Sequence, residues 1–330
     1  CRTYIDTGIR KIMAGVAIKV DPTPRQAISQ QRGLQAGSPC CSPLVGASAL
    51  HRHQKPIHVN LRGQSSRILG PHRARGGSLR CPALSVEPLQ QLAASALASH
   101  PGLLVGATCN SVVYLLGIKV LLKGLTPAGV AHSAVLGSTV YAAFGLGGYL
   151  LVCLYFIFGS AVTKLKLAQK QAEGIAEARG GRRTPASVWG SGAAGMLCAV
   201  AALITTDFDF WQVGFVASFA SKLCDTVSSE VGKAYGQITY LSTNFEVVPR
   251  GTEGAVSLEG TLAGIMAALL FASISVGFGQ VDWQAAGVCT LAAALANYFE
   301  SCLGATVQGD VPWLTNDVVN ALQITLAGAI

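Results

Sequence analysis

The sequence predicts an all-α, multi-pass helical integral membrane protein of about six to eight membrane segments, preceded by a disordered N-terminal leader. Of the 330 residues, 51% are hydrophobic and only 12% are charged, which is about half the charged fraction of an average soluble domain. From Pro101 onward, long apolar stretches alternate with short polar ones. So few polar residues cannot cover a water-soluble core of this size, and an ordinary cytosolic enzyme is therefore excluded.

Residues 1–86 carry the whole basic excess of the chain. They hold 13 Lys and Arg against two acidic residues, a net charge of +11, whereas the remaining residues carry −3. A segment that is rich in Arg and Ser, poor in acids and without a spanning apolar run is typical of an organelle transit peptide. The alternative is a disordered basic arm that binds anionic lipid or nucleic acid. We therefore divide the chain into a leader, residues 1–86, and a polytopic membrane domain, residues 87–330.

Six apolar stretches approach or exceed the ~20 residues that a membrane helix requires. Gly and Ala are frequent within them, and small residues allow helices to approach closely in lipid. The six stretches are residues 101–118, 141–161, 188–206, 211–227, 255–279 and 283–304, while residues 127–139 and 318–330 are apolar but shorter.

The loops between the apolar stretches predict an orientation. Residues 162–187 form the largest basic loop, and the positive-inside rule places it on the side from which the protein inserts. Lys123 reaches that side only if residues 127–139 cross the membrane or form one arm of a broken helix. Counting the predicted membrane crossings onward from this loop brings residues 231–254 and 305–317 to the basic side. Three polar segments are thus expected to converge at one membrane face.

Charged and hydroxyl side chains gather in the segment FASKLCDTVSSEVGKAYG, residues 219–236. Ser221 and Asp225 lie on one helical face, with Lys222 close by and Glu230 on a neighbouring stripe. A lysine beside two carboxylates suits phosphate and Mg²⁺ chemistry, and ionisable residues in an apolar helix are usually functional or paired. The alternative is a helix end that emerges into water, where Lys222 simply pairs with Asp225.

A glycine-rich loop precedes a predicted helix in the segment VVPRGTEGAVSLEGTLAG. Gly251, Thr252 and Gly254 lie in the loop, and Ser257 lies in the first turn of the helix. Free backbone N–H groups at a helix N-terminus bind anions. A turn followed by an N-cap is an equally good explanation, because no Walker lysine follows the loop.

Two further clusters contain candidate ligands for phosphate. Arg182 and Arg183 follow two glycines, and arginines bind phosphates bidentately, although an exposed loop of this kind also serves only to fix topology. Asn316 and Asn320 begin the last predicted helix, where a capping cluster is the alternative. The ten cysteines include no Cys-x-x-Cys pair and the six histidines are scattered, so neither a zinc site nor a disulfide framework is predicted.

The ordered motifs EARGGRR, SKLCDTVSSEVG, PRGTEGAVSLEGT, ESCLGATVQ and NDVVN resemble those of the transmembrane protein 19 family over about residues 100–330. The family's Asp-Thr-x-x-Ser-Glu-x-Gly core is matched from Asp225 to Gly232. Its Gly-Thr-x-Gly-x-Val-Ser element is matched from Gly251 to Ser257. The chain is therefore identified as similar to the plant branch of this family, which includes the phytyl phosphate kinase of tocopherol synthesis.

The resemblance implies a membrane-bound transferase of isoprenoid metabolism. Plant members look like kinases that phosphorylate phytyl monophosphate to the diphosphate with a nucleoside triphosphate, CTP being the expected donor. The implied location is a chloroplast membrane, the envelope, and the implied partners are phytyl phosphate, membrane lipid and the nucleotide, with no nucleic acid. The alternatives are a membrane transporter, for which we see no inverted repeat, and a lipid-phosphate-binding protein without catalysis.

The resemblance also implies roles for the candidate residues. Asp225 and Glu230 are expected to hold Mg²⁺, with Lys222 beside them at the catalytic centre. Arg182 and Arg183 are expected to bind phosphates together with Lys222. The expected ligands of the nucleotide and the head group are Gly251, Thr252, Gly254, Ser257, Asn316 and Asn320.

Overall fold

The computed structural model describes residues 87–308 and 311–330, which are predominantly helical. The predicted leader lies outside the described residues. In chain order the described elements are helices α1 (Glu87–Ala96), α2 (Gly102–Gly124), α3 (Pro127–Thr163) and α4 (Leu167–Ala172), a 3-10 helix (Ala178–Gly181), helices α5 (Pro185–Thr205) and α6 (Phe208–Tyr235), strands β1 (Thr239–Leu241) and β2 (Ala255–Ser257), and helices α7 (Leu258–Gly277), α8 (Trp283–Thr306) and α9 (Asn316–Ala329).

Five of the described helices, α2, α3, α5, α7 and α8, are long and apolar enough to cross a membrane. The predicted all-α multi-pass fold is therefore confirmed. Helix α6 has 28 residues and is largely buried, because it packs against α3, α5, α7, α8 and α9. Helix α9 packs against α5, α6 and α8.

Helix α3 is a hairpin of two antiparallel arms. At Gly145 the backbone has φ +62° and ψ −161°, a region that is essentially open only to glycine. The two outer ends of α3 both contact Arg183: the Thr126 N–H donates to the Arg183 carbonyl at 3.0 Å, and the Arg183 guanidinium lies beside Tyr155 and Gly159. A straight helix would separate these contacts by roughly 50 Å, so the chain reverses direction at Gly145.

The hairpin corrects one predicted membrane segment. The predicted stretch 141–161 runs through the turn, whereas the arms are residues 127–144 and 146–163. The short stretch 127–139 therefore belongs to a longer helical arm, residues 127–144, whose length of about 27 Å is close to that of a hydrocarbon core. With the arms counted separately and α6 included, the described residues contain seven helical segments of at least 18 residues, within the predicted six to eight.

Helices α6 and α7 approach closely through small residues. A side chain at Gly264 would overlap Ser228 and the carbonyl of Cys224, and one at Gly260 would overlap the carbonyl of Ser228. In lipid, such small residues allow the dispersion contacts that hold helices together. This packing fixes the part of α6 that contains the candidate residues.

The three polar segments predicted to converge do meet at one end of the helices. Arg250 forms an ion pair with Glu173 at 3.0 Å, and Gly254 packs against the backbone at Ala305. Asp207 caps the N-terminus of α6 at the opposite end. Strands β1 and β2 pair antiparallel within this convergence, with Tyr240 opposite Val256. We call this convergence the loop face; it is made of residues 162–187, 231–257, 305–308 and 311–317.

Candidate functional site

A buried lysine lies in the half of α6 that is nearer the loop face. The Nζ of Lys222 forms an ion pair with Asp225 and donates a hydrogen bond to Oδ1 of Asn320 on α9 at 2.7 Å. The side chains of Lys222 and Asp225 are only 8% and 13% exposed. The i, i+3 pair that the spacing allowed does form, but it lies inside the protein and not at a helix end in water.

Glu300 on α8 brings a second carboxylate to Lys222 and Asp225. Glu300 is a charged neighbour of both residues, although among the described residues it forms no ion pair with Lys222. Two carboxylates and one ammonium group therefore share a partly buried region between α6, α8 and α9. We call Lys222, Asp225, Glu300 and Asn320 the charged cluster.

Arg183 lies next to the charged cluster. Its guanidinium donates to the Tyr155 hydroxyl at 2.5 Å and lies over the Tyr155 ring, 4.6 Å from the ring centre. The same hydroxyl donates to Oγ of Ser191 at 3.0 Å. A Cβ atom at Gly159 would meet both the Arg183 guanidinium and the side chain of Thr226, the residue that follows Asp225. Within residues 87–308 and 311–330, no carboxylate forms an ion pair with Arg183. Among the described residues, its positive charge is therefore not neutralised by an ion pair.

An apolar cavity of about 350 Å³ opens beside Arg183. Its walls come mainly from α2, both arms of α3, and α5. Most of the lining side chains are aliphatic or aromatic, and the polar exceptions include Arg183, Tyr155 and Ser191. The cavity therefore joins an apolar interior to a cationic end.

Glu230 belongs to a separate ion pair. Its carboxylate pairs with Lys170 of α4, which also donates to the carbonyl of Thr163 at 2.9 Å, and both charged side chains are almost completely buried. Five residues along a helix place Glu230 about 140° around the axis from Asp225. The structure therefore does not bring the two predicted Mg²⁺ ligands to one site, because Asp225 faces α8 and α9 whereas Glu230 faces α4.

Two residues of the predicted nucleotide loop make local structural hydrogen bonds. The Oγ of Ser257 accepts from the N–H of Gly260 at 3.1 Å and caps α7. Thr252 is exposed, and its hydroxyl donates to the carbonyl of Pro249 at 2.8 Å. The turn-and-cap interpretation thus describes these contacts, and nucleotide binding by the loop stays a prediction.

The two glycines of the same loop occupy backbone positions that favour glycine. Gly251 and Gly254 have φ of +83° and +70°, in the left-handed region. Gly251 packs against Ile175, and Gly254 lies against Ser301 and Ala305 with no room for a Cβ atom. The loop is thereby anchored to both neighbouring segments of the loop face.

Arg182 and Asn316 are exposed and lie outside the charged cluster. Asn316 is the first residue of α9, but Thr315 provides the N-cap. One residue of each predicted pair reaches the buried polar groups: Arg183, but not Arg182, and Asn320, but not Asn316.

Glu300 is not among the predicted site residues, although it lies in the motif ESCLGATVQ. Tyr155 and Lys170 are two further residues of this region that the sequence does not predict. Tyr155 lies in an apolar stretch, where nothing in the local sequence separates it from an aromatic side chain that faces lipid. Lys170 lies in the basic loop of residues 162–187, where it is one of several positive charges. Their partners, Arg183 and Glu230, are 28 and 60 residues away along the chain, so no local spacing signals either contact.

Comparisons with known proteins cover this whole region. Residues 110–328 match the family described as integral membrane protein DUF92. Protein VTE6, chloroplastic, of Arabidopsis thaliana is 47% identical over 227 residues, which are 67% of this chain and 68% of that protein. An uncharacterized membrane protein of Synechocystis is 49% identical over 225 residues, 67% of this chain and 86% of that protein.

A more distant relative is an uncharacterized membrane protein of Methanocaldococcus jannaschii. It is 30% identical over 203 residues, 61% of this chain and 82% of that protein. No solved structure matches the chain. The family match includes every residue of the charged cluster.

Proposed function

This chain belongs to the DUF92 family of integral membrane proteins, and we propose that it is a membrane-bound kinase that converts phytyl monophosphate to the diphosphate. The observation that carries the proposal is the charged cluster, with Lys222, Asp225 and Glu300 held among helices beside Arg183. Ionisable residues inside a membrane protein are costly and mark functional sites. Family membership also confirms the resemblance that the ordered motifs carry.

The substrate and the pathway rest on that resemblance. Its plant branch supports an isoprenoid phosphate as acceptor, a step of tocopherol synthesis as the role, and CTP as the donor. The 47% identical Arabidopsis relative is chloroplastic by name, which supports a chloroplast membrane as the location. Within the chloroplast we propose the envelope.

Arg183 and Lys222 supply the positive charge that phosphoryl transfer needs. The reaction depends on positioning and charge neutralisation more than on covalent chemistry by the protein. The planar guanidinium of Arg183 suits two oxygens of one phosphate, while Lys222 acts as a point charge. Asn320 holds the Lys222 ammonium in place. We assign the lipid phosphate to Arg183 and the transferred phosphoryl group to the region of Lys222.

Mg²⁺ fits the donor set of the charged cluster. In proteins this ion is usually held by one or two carboxylates together with substrate phosphates, and Asp225 and Glu300 supply two carboxylates. Across the described residues, no three His, Cys, Asp or Glu side chains are grouped as metal ligands, so substrate phosphates would complete the coordination. When bound, the ion neutralises phosphate charge. Glu230 instead fixes α4 through Lys170 and is a positioning residue.

The donor nucleotide is assigned to the exposed loop from Gly251 to Gly254. Thr252 and the backbone N–H groups of this turn lie at the loop face, on the same side as Arg182 and Asn316. Exposed donors at a membrane face suit a ligand that arrives from water. Ser257 supports the loop by capping α7.

A reconstituted assay tests the proposed kinase. The full chain in lipid nanodiscs is incubated with phytyl monophosphate, Mg²⁺ and one of CTP, ATP, GTP or UTP, and products are identified by mass spectrometry. We expect phytyl diphosphate and nucleoside diphosphate in equal amounts, with the highest rate for CTP. A diphosphate made only from another donor would overturn the CTP assignment alone. Turnover with none of the four, together with transport of unchanged phytyl monophosphate into sealed vesicles, would favour a transporter.

A further inference from the structure

We infer that the apolar cavity beside Arg183 binds the hydrocarbon chain of an isoprenoid monophosphate, whose phosphate is bound by Arg183. The identity of the lipid rests on the proposed function. The site itself rests on the shape, lining and charge of the cavity.

The cavity has the size and lining of a site for a hydrocarbon chain. Its volume of about 350 Å³ falls within the roughly 300–1,000 Å³ of small-molecule sites, which are mostly apolar with a few polar groups that fix orientation. Val113 and Leu121 of α2, Leu136 and Phe156 of α3, and Val188 of α5 contribute apolar walls. A polar ligand would lose its hydration here without gaining hydrogen bonds.

The polar groups of the lining specify an anionic head group. Arg183, Tyr155 and Ser191 are linked by hydrogen bonds, and no carboxylate in the described chain pairs with the guanidinium. The Arg183 N–H donates to the carbonyl of Gly124 at 2.9 Å, and its carbonyl accepts from the Thr126 N–H at 3.0 Å. The backbone of Arg183 is therefore fixed to the turn between α2 and α3. A lipid whose phosphate is bound there points its chain into the cavity and the accepting oxygens of its phosphate toward the charged cluster.

Two glycines in the wall differ in what a side chain would meet. A Cβ atom at Gly192 would collide with Leu136, whereas one at Gly117 would meet nothing within 4 Å. A larger residue at position 117 thus enters open space and narrows the cavity without displacing other side chains. Gly287 on α8 also has open surroundings, but it is not among the cavity residues. Gly117 and Gly287 are therefore a matched pair for substitution, one inside the cavity wall and one outside it.

Photo-crosslinking of the full chain in nanodiscs tests the site without nucleotide. The probe is a 20-carbon isoprenyl monophosphate with a diazirine on its chain, and labelled peptides are mapped by mass spectrometry. We expect labels on α2, α3 and α5, which phytyl monophosphate competes away and phosphatidic acid does not. Since the Leu side chain occupies cavity space that the ligand chain would fill, Gly117→Leu is expected to lower labelling about tenfold through overpacking. Gly287→Leu labels like the unaltered protein.

A second variant tests the head group. Arg183→Gln is expected to abolish the preference for phytyl monophosphate over phytol in competition. Labels confined to the outer surfaces of α7 and α8, full labelling of Gly117→Leu, or equal competition by phosphatidic acid would each overturn the inference. Labelling as expected in a protein without turnover would overturn the kinase proposal and leave this site standing. Turnover by a protein that is labelled outside the cavity would support the kinase proposal and overturn the cavity site.

Discussion

The ammonium group of Lys222 on α6 donates a hydrogen bond to the amide oxygen of Asn320 on α9 at 2.7 Å. A second bond joins the same helices, from Nε2 of Gln323 to the carbonyl of Ser221 at 3.2 Å. The inner residues of α9 are buried against α5, α6 and α8. Its contribution is therefore to hold the lysine of the charged cluster in one position.

Asn320→Ala is expected to lower kcat about tenfold, because the Lys222 ammonium loses the partner that fixes its position. Activity is measured on purified protein at saturating phytyl monophosphate and nucleotide. Thr325 is exposed on the same helix and donates only to a carbonyl of its own helix, so Thr325→Ala is the control. Equal kcat values for the two variants would remove Asn320 from the site.

The ion pair between Lys170 and Glu230 is expected to behave as a unit. Lys170→Met or Glu230→Gln alone leaves one buried charge unpaired and destabilises by about 3–5 kcal/mol, whereas replacing both partners restores most of the stability. Unfolding of the two single variants and the double variant gives the coupling free energy. Additive losses in the double variant would show that the two groups do not interact.

An exposed pair provides a comparison with this buried pair. The side chains of Arg250 and Glu173 are 30% and 34% exposed. Arg250→Gln therefore costs at most about 1 kcal/mol, and less at high salt. A loss as large as that of a buried single variant would contradict this difference.

Gly145→Ala is expected to destabilise the hairpin of α3 strongly. Its backbone conformation costs any other residue about 1–3 kcal/mol, and a Cβ atom would collide with the carbonyls of Ala98 and Ser99. Gly174 also has a positive φ, +71°, but open surroundings, so Gly174→Ala costs only about 1–2 kcal/mol. The melting temperatures of both purified variants check this, and equal shifts would argue against the turn.

The alternation of apolar and polar segments predicts most of the fold, because each membrane helix must be long enough and apolar enough to cross. The basic loop also predicts which polar segments meet, and the contact between Arg250 and Glu173 bears this out. The hairpin turn at Gly145 was not predicted. It lies in a run that contains several glycines, GLGGYLLVC, and local sequence does not show which of them the chain uses to reverse.

The sequence predicts those contacts of the site whose partners are close together along the chain. A spacing of three residues on one helix anticipates the pair of Lys222 and Asp225, but no spacing relates Glu230 to Lys170. Those partners meet only because loop segments fold over the end of the bundle. Asp225 and Glu230 are close together along the sequence, which suggested a shared metal site. In the structure the two side chains point to different neighbours.

Transfer of label from γ-labelled CTP to phytyl monophosphate tests the kinase proposal most directly. We expect labelled phytyl diphosphate with the unaltered protein and a loss of about 10²-fold or more with Asp225→Asn, which removes a carboxylate of the proposed Mg²⁺ site. Asp209 lies at the opposite end of α6, and Asp209→Asn keeps full transfer.

Because Asp225→Asn leaves Lys222 without its ion-pair partner, Lys222→Gln combined with Asp225→Asn provides a variant from which both members of that ion pair are removed. The kinase proposal predicts that this double variant is stable, stays in the membrane fraction and transfers no label. Transfer at the unaltered rate by either Asp225 variant would contradict the role of the charged cluster. The absence of labelled diphosphate from the unaltered protein would contradict the kinase itself.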